Sequence, residues 1–241
     1  MNPRPVKWAA ELSHVREVSL MGTADLAYWR DRLRTDDLIP AESDDGRAQL
    51  MIVGAEGKYL GVRFRELSAS VVVCSPAKRS PQDAAYLVRA FNSSRFFAFC
   101  ERAIFSTPYY AGDVRVSVSV PASVQLLQGG AAEFSASMGP DVSQRAPSHC
   151  GEACWEGPIF LPHNRPGGVS SGKLFWARLQ GLTRTYPFLP GMDTVTIKPA
   201  PGNPLCQALE SSSFLGKEWI VREDASHAKS KTYRRTEMFP T

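Results

Sequence analysis

The chain has 241 residues, 43% of them hydrophobic and 22% charged, enough to bury one sizeable core as a single large β domain or two small ones. Its 28 basic and 24 acidic side chains leave a formal net charge of +4, too mild and too dispersed for a phosphate-binding surface, which argues against nucleic acid as a partner. No window approaches the roughly 20 apolar residues that a membrane helix needs, so no membrane partner is expected.

Met1 to Leu12 carries Pro3, Pro5, Lys7 and Glu11 where a secretory signal would place an apolar run. Further on, Leu26, Trp29 and Leu33 recur at helical spacing with Asp25, Arg30, Asp31 and Arg32 between them, which predicts one surface helix opening near Thr23. Ala48 to Val53 and Val62 to Cys74 are rich in β-branched and apolar residues, with Gly54, Gly57 and Gly61 as punctuation, and read as two or three antiparallel strands. On the second of these, Phe64, Glu66, Ser68 and Ser70 share one face, and Arg63, Arg65, Leu67, Ala69, Val71 and Val73 share the other. The serine-bearing face suits a polar cavity lining or a solvent-facing surface, and alternation leaves both open.

Pro76 to Pro81 reads as a basic, proline-bounded loop, and Gln82 to Phe105 as helical. In the second part of that region Phe96, Cys100 and Ala103 form one stripe and Phe97 with Ile104 its neighbour, as in a helix packed on a sheet. Pro108 ends it. Val114, Val116, Val118 and Val120 then alternate with Arg115, Ser117 and Ser119 as a strand buried on one side, and Gln128 to Gly130 turns the chain into a hairpin toward Met138. Gly139 to Gly172 is rich in Pro, Gly and Ser and reads as a loop-rich insertion in which only Ile159 to Leu161 forms a short strand: a lid, an oligomer contact or a flexible segment. Lys173 to Leu182 and Thr194 to Lys198 resume strand character, Asn203 to Leu209 reads as a helical turn, and Phe214 to Val221 as the last strand. The sum is an α+β, mainly β chain, an antiparallel sheet with a few peripheral helices.

Few residue clusters carry chemistry of their own. His149, Cys150 and Cys154, with the distant His163, are metal-ligand types, but the spacing is unusual and no second cysteine pair exists, so free thiols and no metal are expected. Gly-Lys at Gly57-Lys58 and Gly172-Lys173 lacks the spacing of a phosphate loop, and Ser170-Ser171 has no nucleophile-elbow context, so no cofactor is expected. Cys74, Cys100, Cys150, Cys154 and Cys206 are odd in number and scattered, which fits reduced thiols and a cytoplasmic location. Lys58, Lys173 and Lys198 sit near strand ends, where nothing local would depress an amine pKa, and read as ordinary solvated lysines.

The segment Phe99 to Gly112, closed by Pro108-Tyr109-Tyr110, resembles the active-site segment of the acetoacetate decarboxylase family, with two tyrosines in place of that family's lysine pair. His14 to Val18 resembles the early strand that supplies the family's arginine, which would be Arg16; Leu60 to Glu66 is similar to its glycine, aromatic, glutamate strand; and Leu209 to Leu215 is similar to a late serine-rich strand. The shared order spans most of the chain. The resemblance implies one acetoacetate decarboxylase-like domain over residues 1–241: a bent antiparallel sheet closing into a barrel or cone around a central cavity, with peripheral helices, in a protein that assembles as a homo-oligomer.

It also implies a site. Arg16 and Glu66 would face the pocket, Glu101 matches a family glutamate, and Gln49 stands where a second family carboxylate would be. In the family the lysine after the proline forms a Schiff base with a keto acid, and the second lysine lowers its pKa by like-charge repulsion; Tyr109 and Tyr110 can do neither. A phenol can still polarise a substrate oxygen, so the expected catalytic set is Tyr109, Glu66 as proton carrier and Arg16 as carboxylate clamp, with Tyr110, Gln49 and Glu101 as ligand contacts. The competing reading makes the tyrosines an aromatic corner after a helix and Glu101, beside Arg102, a solvated charge. The functions that follow are a lyase-like enzyme for a small keto or carboxylic acid without a Schiff base, a non-catalytic binder of such a ligand, or an interaction protein using 139–172.

Overall fold

A computed structural model describes residues 6–74, 84–141, 145–162, 172–198 and 202–239. The chain opens with β1 (Trp8–Ala24), α1 (Leu26–Leu33), β2 (Ile39–Pro40), β3 (Ala48–Tyr59), β4 (Val62–Cys74), β5 (Ala84–Asn92) and α2 (Arg95–Ala103). Short strands follow: β6 (Tyr109–Ala111), β7 (Asp113–Ser117), β8 (Ser123–Gln128) and β9 (Ala131–Ser137). It ends with β10 (His149–Phe160), β11 (Lys173–Pro187), β12 (Thr194–Ile197), α3 (Pro204–Ser211), β13 (Leu215–Ser230), β14 (Tyr233–Arg234) and α4 (Arg235–Met238). The architecture is mainly β.

The helices start where capping chemistry allows. The Asp25 carboxylate accepts the Tyr28 backbone N–H at 2.6 Å, Trp29 and Leu33 bury one turn apart, and Arg30 and Arg32 meet the negative end of the helix dipole. Ser94 caps α2 and Asn203 caps α3 in the same way. Only Ala98 of α2 is fully buried, while Phe96, Phe99 and Ile104 are exposed, so the apolar stripes expected on this helix do not all face the sheet.

Ten strands form one sheet in the order β2-β4-β3-β1-β13-β11-β10-β5-β6, with β14 added on β11. A further pairing, β4 with β5, returns the path to itself. The sheet is not purely antiparallel, because β5 pairs in parallel with both β10 and β6. Strands β12, β9, β8 and β7 make a second, four-stranded sheet.

Three expectations need correction. The first part of Gln82 to Phe105 is strand β5 rather than helix: it is buried on both faces, which erases the period-two signal and leaves a run rich in alanine and leucine. The stretch 139–172 is not a loop-rich insertion, because His149–Phe160 is a 12-residue strand of the main sheet. Through Pro158 it pairs, among the described residues, only with β11, and a strand paired on one side tolerates glycine, proline and charge. Leu209 to Leu215 is not a strand but the end of α3 and its exit turn, where the Ser212 hydroxyl donates back to the Ala208 carbonyl at 2.7 Å. Pro76 to Pro81 lies outside the described residues.

The two sheets explain the alternation of β3 and β4. Leu50 and Ile52 of β3 and Leu67, Ala69, Val71 and Val73 of β4 enter one core with Val114, Val124, Leu126 and Phe134 of the small sheet. At Gly54 the sheets approach so closely that a Cβ would lie 2.6 Å from Val124 Cγ2. The opposite face, bearing Met51, Val53, Ala55, Glu66, Ser68 and Ser70, lines an interior cavity.

Candidate functional site

The cavity has a volume of about 250 Å3 and is walled by β1, β3, β4, β5, β6, β10, β11 and β13, with α2 over one side. Its position follows from strand register. Arg222 of β13 pairs with Glu17 of β1, Glu17 with Ala55 of β3, Ala55 with Glu66 of β4, and Glu66 with Asn92 of β5. Directly paired residues share a face, so one cross-strand row carries two carboxylates separated by a single alanine.

Tyr109, buried on β6, donates its hydroxyl to Glu66 Oε1 at 2.6 Å, and Asn92 Nδ2 donates to Glu66 Oε2 at 3.4 Å. Burial raises the Glu66 carboxyl above its ordinary range; the charge of Glu101 adds to this, and the Tyr109 hydrogen bond with the charges of Lys229 and His227 opposes it. Burial, followed by the Glu66 and Glu101 charges, raises the Tyr109 phenol well above its ordinary value, so it stays protonated and serves as a donor. Beside this pair Lys229 of β13 donates to the Glu101 carboxylate, which also accepts from Thr107 Oγ1 at 2.7 Å. The Lys229 ammonium lies 4.5 Å from the Phe175 ring centre, 4.8 Å from Phe105 and 5.3 Å from Tyr109, a cation held among aromatic faces.

Tyr109, Glu66 and Glu101 therefore come together in the cavity. Arg16, Gln49 and Tyr110 do not line it. The Arg16 side chain is 47% exposed and donates to Glu56 Oε1 at 2.5 Å, because it neighbours the inward-facing Glu17 and so points to the other face. Gln49 shares the cavity face of β3 but sits beyond Met51, where its amide donates to the Glu42 carbonyl. Tyr110 alternates with Tyr109 and points outward, its ring 3.7 Å from the Arg89 guanidinium carbon.

Sequence reasoning missed Lys229 and His227, which line the cavity from the last turns of β13. The available signal was their period-two spacing beyond Val221. His227 Nε2 and Glu17 Oε2 are 2.7 Å apart, while Arg222 Nη1 and Ser19 Oγ donate to Glu17 Oε1 at 2.5 and 2.8 Å. Glu17 is 1% exposed, and burial alone would raise it, but His227, Arg222 and Ser19 lower it from 4.5 to about 2. A carboxylate lowered on folding stabilises the native state above its unfolded pKa and loses that contribution as pH falls toward the folded value. Glu17→Gln is thus expected to cost about 3 kcal/mol at pH 7, a gap that closes between pH 4.5 and 2 in denaturant melts; a gap that stays constant with pH contradicts this account.

A wider groove of about 660 Å3 runs along Phe188, Ile197, Leu209 and Phe214, with Glu210 and Lys217 as its charged side chains. No described helix is long and apolar enough to cross a membrane. His149, Cys150 and Cys154 lie on β10; among the described residues no group of three His, Cys, Asp or Glu side chains is placed to hold a metal, and His163 lies outside them. All five cysteines are free.

Sheet, cavity and the Glu66–Tyr109 pair define a mainly β protein built around a largely apolar cavity that holds a few polar groups. Solved structures place that architecture among known folds. An acetoacetate decarboxylase from Legionella pneumophila subsp. pneumophila str. Philadelphia 1 superposes with a TM-score of 0.60 at 14% identity, covering 97% of this chain and 90% of that one. An acetoacetate decarboxylase-like enzyme from Sphingomonas wittichii RW1 gives 0.59 at 11%, over 93% and 91%. The enduracididine biosynthesis enzyme MppR, in complex with pyruvate, gives 0.60 at 13%, over 96% and 89%. The chain has the acetoacetate decarboxylase-like fold. No protein-family model matches it, and no curated protein sequence does.

Proposed function

We propose that the cavity binds a small carboxylate or keto acid and that Glu66 and Tyr109 move or lend a proton to it, in a lyase-like reaction that does not use a lysine after Pro108. The observation that carries this reading is the 2.6 Å hydrogen bond between the buried Tyr109 phenol and the half-buried Glu66 carboxyl in a largely apolar cavity. Lys229 supplies the cation for a ligand carboxylate, with Arg178 as a second lining cation; Arg16, engaged with Glu56 on the other face, is a weaker candidate for that role. MppR, solved with pyruvate, supports a ligand of this size and charge. The self-returning strand path supports a barrel or cone, exposed Phe96, Phe99 and Ile104 support assembly of copies, and the free thiols support a cytoplasmic setting. The interaction-protein alternative draws less support, since residues 149–160 of the stretch it would use form β10 of the main sheet.

A thermal-shift panel of short carboxylates and 2-keto acids tests this. A ligand at one hundred times its Kd stabilises a fold by about 2.7 kcal/mol, so a saturating binder raises Tm by several degrees, and Lys229→Met abolishes the rise. A Tm unmoved by every member of the panel at 10 mM overturns the reading. The non-catalytic binder is the second reading. It is favoured by the Lys229–Glu101 ion pair, which already engages one of the two lining cations, and it predicts the Tm rise without turnover.

A further inference from the structure

We propose that His227 is a base in this cavity, aimed from behind by the Glu17 carboxylate, and that it works with the Glu66–Tyr109 pair to enolise a bound small ketone or keto acid. The inference rests on the reading of the cavity as a site for such a ligand, and it adds a reaction that the Glu66–Tyr109 pair alone does not specify. Three observations carry it.

Glu17 is buried, and both its oxygens are engaged: Oε1 by Arg222 and Ser19, Oε2 by His227. An ionised carboxylate only accepts hydrogen bonds, so His227 Nε2 carries the proton and the lone pair of the neutral ring resides on Nδ1. This is the arrangement of an oriented base, a carboxylate fixing tautomer and ring plane while the second nitrogen has no hydrogen-bond partner among the described residues. The carboxylate is itself held rigid, because Arg222 Nε donates to Thr183 Oγ1 at 2.9 Å from the neighbouring strand.

The second observation is placement. His227 lines the cavity two residues before Lys229, in the same cavity as Glu66 and Tyr109. Glu17 and Glu66 lie in one register row two strands apart, roughly 10 Å between backbones, with Ala55 leaving open space between them. A ligand of a few heavy atoms spans that interval.

The third is complementarity of proton state. Tyr109 remains a phenol beside Glu66, so one side of the ligand meets a hydroxyl donor while His227 offers an acceptor. The step balances without a co-reactant. His227 Nδ1 takes a proton from the carbon beside the carbonyl, the C–H electron pair becomes the C=C bond, and the carbonyl oxygen receives a proton from the Glu66–Tyr109 pair. The reverse step returns a proton from His227 to carbon, so solvent hydrogen enters the ligand.

Proton NMR of 2-oxobutyrate in D2O reads this directly. The wild-type protein is expected to speed loss of the C3 proton signal over buffer, His227→Gln to slow the exchange at least 100-fold while the 2-oxobutyrate-induced Tm rise persists, and Tyr109→Phe to slow it as well. Glu17→Gln removes the anion that aims the ring and is expected to lower the exchange rate at saturating 2-oxobutyrate while the half-saturating concentration stays unchanged, a split that a purely structural role would not produce. Exchange by wild-type protein that survives in both His227→Gln and His227→Asn overturns the proposal, as does a borohydride-trapped adduct on Lys229 that accounts for it. Wild-type binding of 2-oxobutyrate without exchange sinks this inference alone, and absence of binding to the whole carboxylate panel sinks the functional reading beneath it. Both wild-type outcomes stand even if the His227 variants fail to fold.

Discussion

An Asp193→Ala variant is expected to lose about 3–5 kcal/mol of stability, the cost of breaking a buried ion pair from one side. The Asp193 and Arg145 side chains are both 0% exposed. Arg145 donates to both oxygens of Asp193, and the Gly139 and Leu189 backbone N–H groups and the Trp219 indole N–H donate to them at 2.8, 3.0 and 3.0 Å. Burial alone would raise the Asp193 carboxyl, but these donors, led by Arg145, hold it below its ordinary value. Alanine removes the carboxylate that faces a buried guanidinium and leaves several donors without an acceptor, a penalty of desolvation rather than of lost attraction. Urea melts should show a lower midpoint at unchanged m value, and the double variant Arg145→Met with Asp193→Leu should recover most of the loss. A cost under 1 kcal/mol for Asp193→Ala would show that the network is dispensable. The site has a stake in the outcome, because Trp219 lies on β13, the strand that carries His227 and Lys229.

Glu66→Gln is expected to raise stability and destroy function together. The folded-state pKa of Glu66 is raised, so its favourable contribution is complete below the unfolded pKa and is lost as pH rises through the folded value. Glutamine keeps an acceptor for the Tyr109 hydroxyl and cannot ionise, so the variant should gain on the wild type as pH increases from 5 to 9 in parallel thermal melts. Turnover or proton exchange of a bound keto acid should fall by about 10²–10⁴-fold, the usual worth of a general acid or base. A variant that is no more stable at pH 9 than at pH 5, relative to wild type, contradicts a raised Glu66 pKa. Unchanged turnover of an identified substrate would assign the chemistry elsewhere. The combination of higher stability and lost activity marks a group retained at a cost to the fold.

Much of this site was legible in the sequence, and its gaps have physical causes. The alternation of Phe64, Glu66, Ser68 and Ser70 against Leu67, Ala69, Val71 and Val73 could be read directly, but which face met water depended on the four-stranded sheet that covers the apolar side. Tyr109 and Tyr110 were a pair in sequence, whereas a strand can turn only one of them inward. The same alternation separates Arg16 from Glu17, and the inward residue is the carboxylate. His227 and Lys229 were hidden because Arg222, Glu223 and Asp224 look like the end of a strand. In the fold Arg222 turns in to pair with Glu17, Asp224 reaches His14 at the surface, and the ladder continues to Ser230. β10 was missed for a related reason, since a strand paired on one side over most of its length needs no hydrophobic run.

The cavity is walled almost wholly by strands, each held to its neighbours by ladder hydrogen bonds, and α2 with the residue Phe105 beyond it makes up the remainder. Such a wall is mechanically stiff: Glu66, Tyr109, His227 and Lys229 keep their mutual spacing whether or not anything occupies the space between them. Little order has to be created when a ligand enters, so little binding energy is consumed in creating it. Selection among ligands then falls to shape and charge fixed in advance, and a molecule one carbon too long must deform a hydrogen-bonded sheet to be admitted.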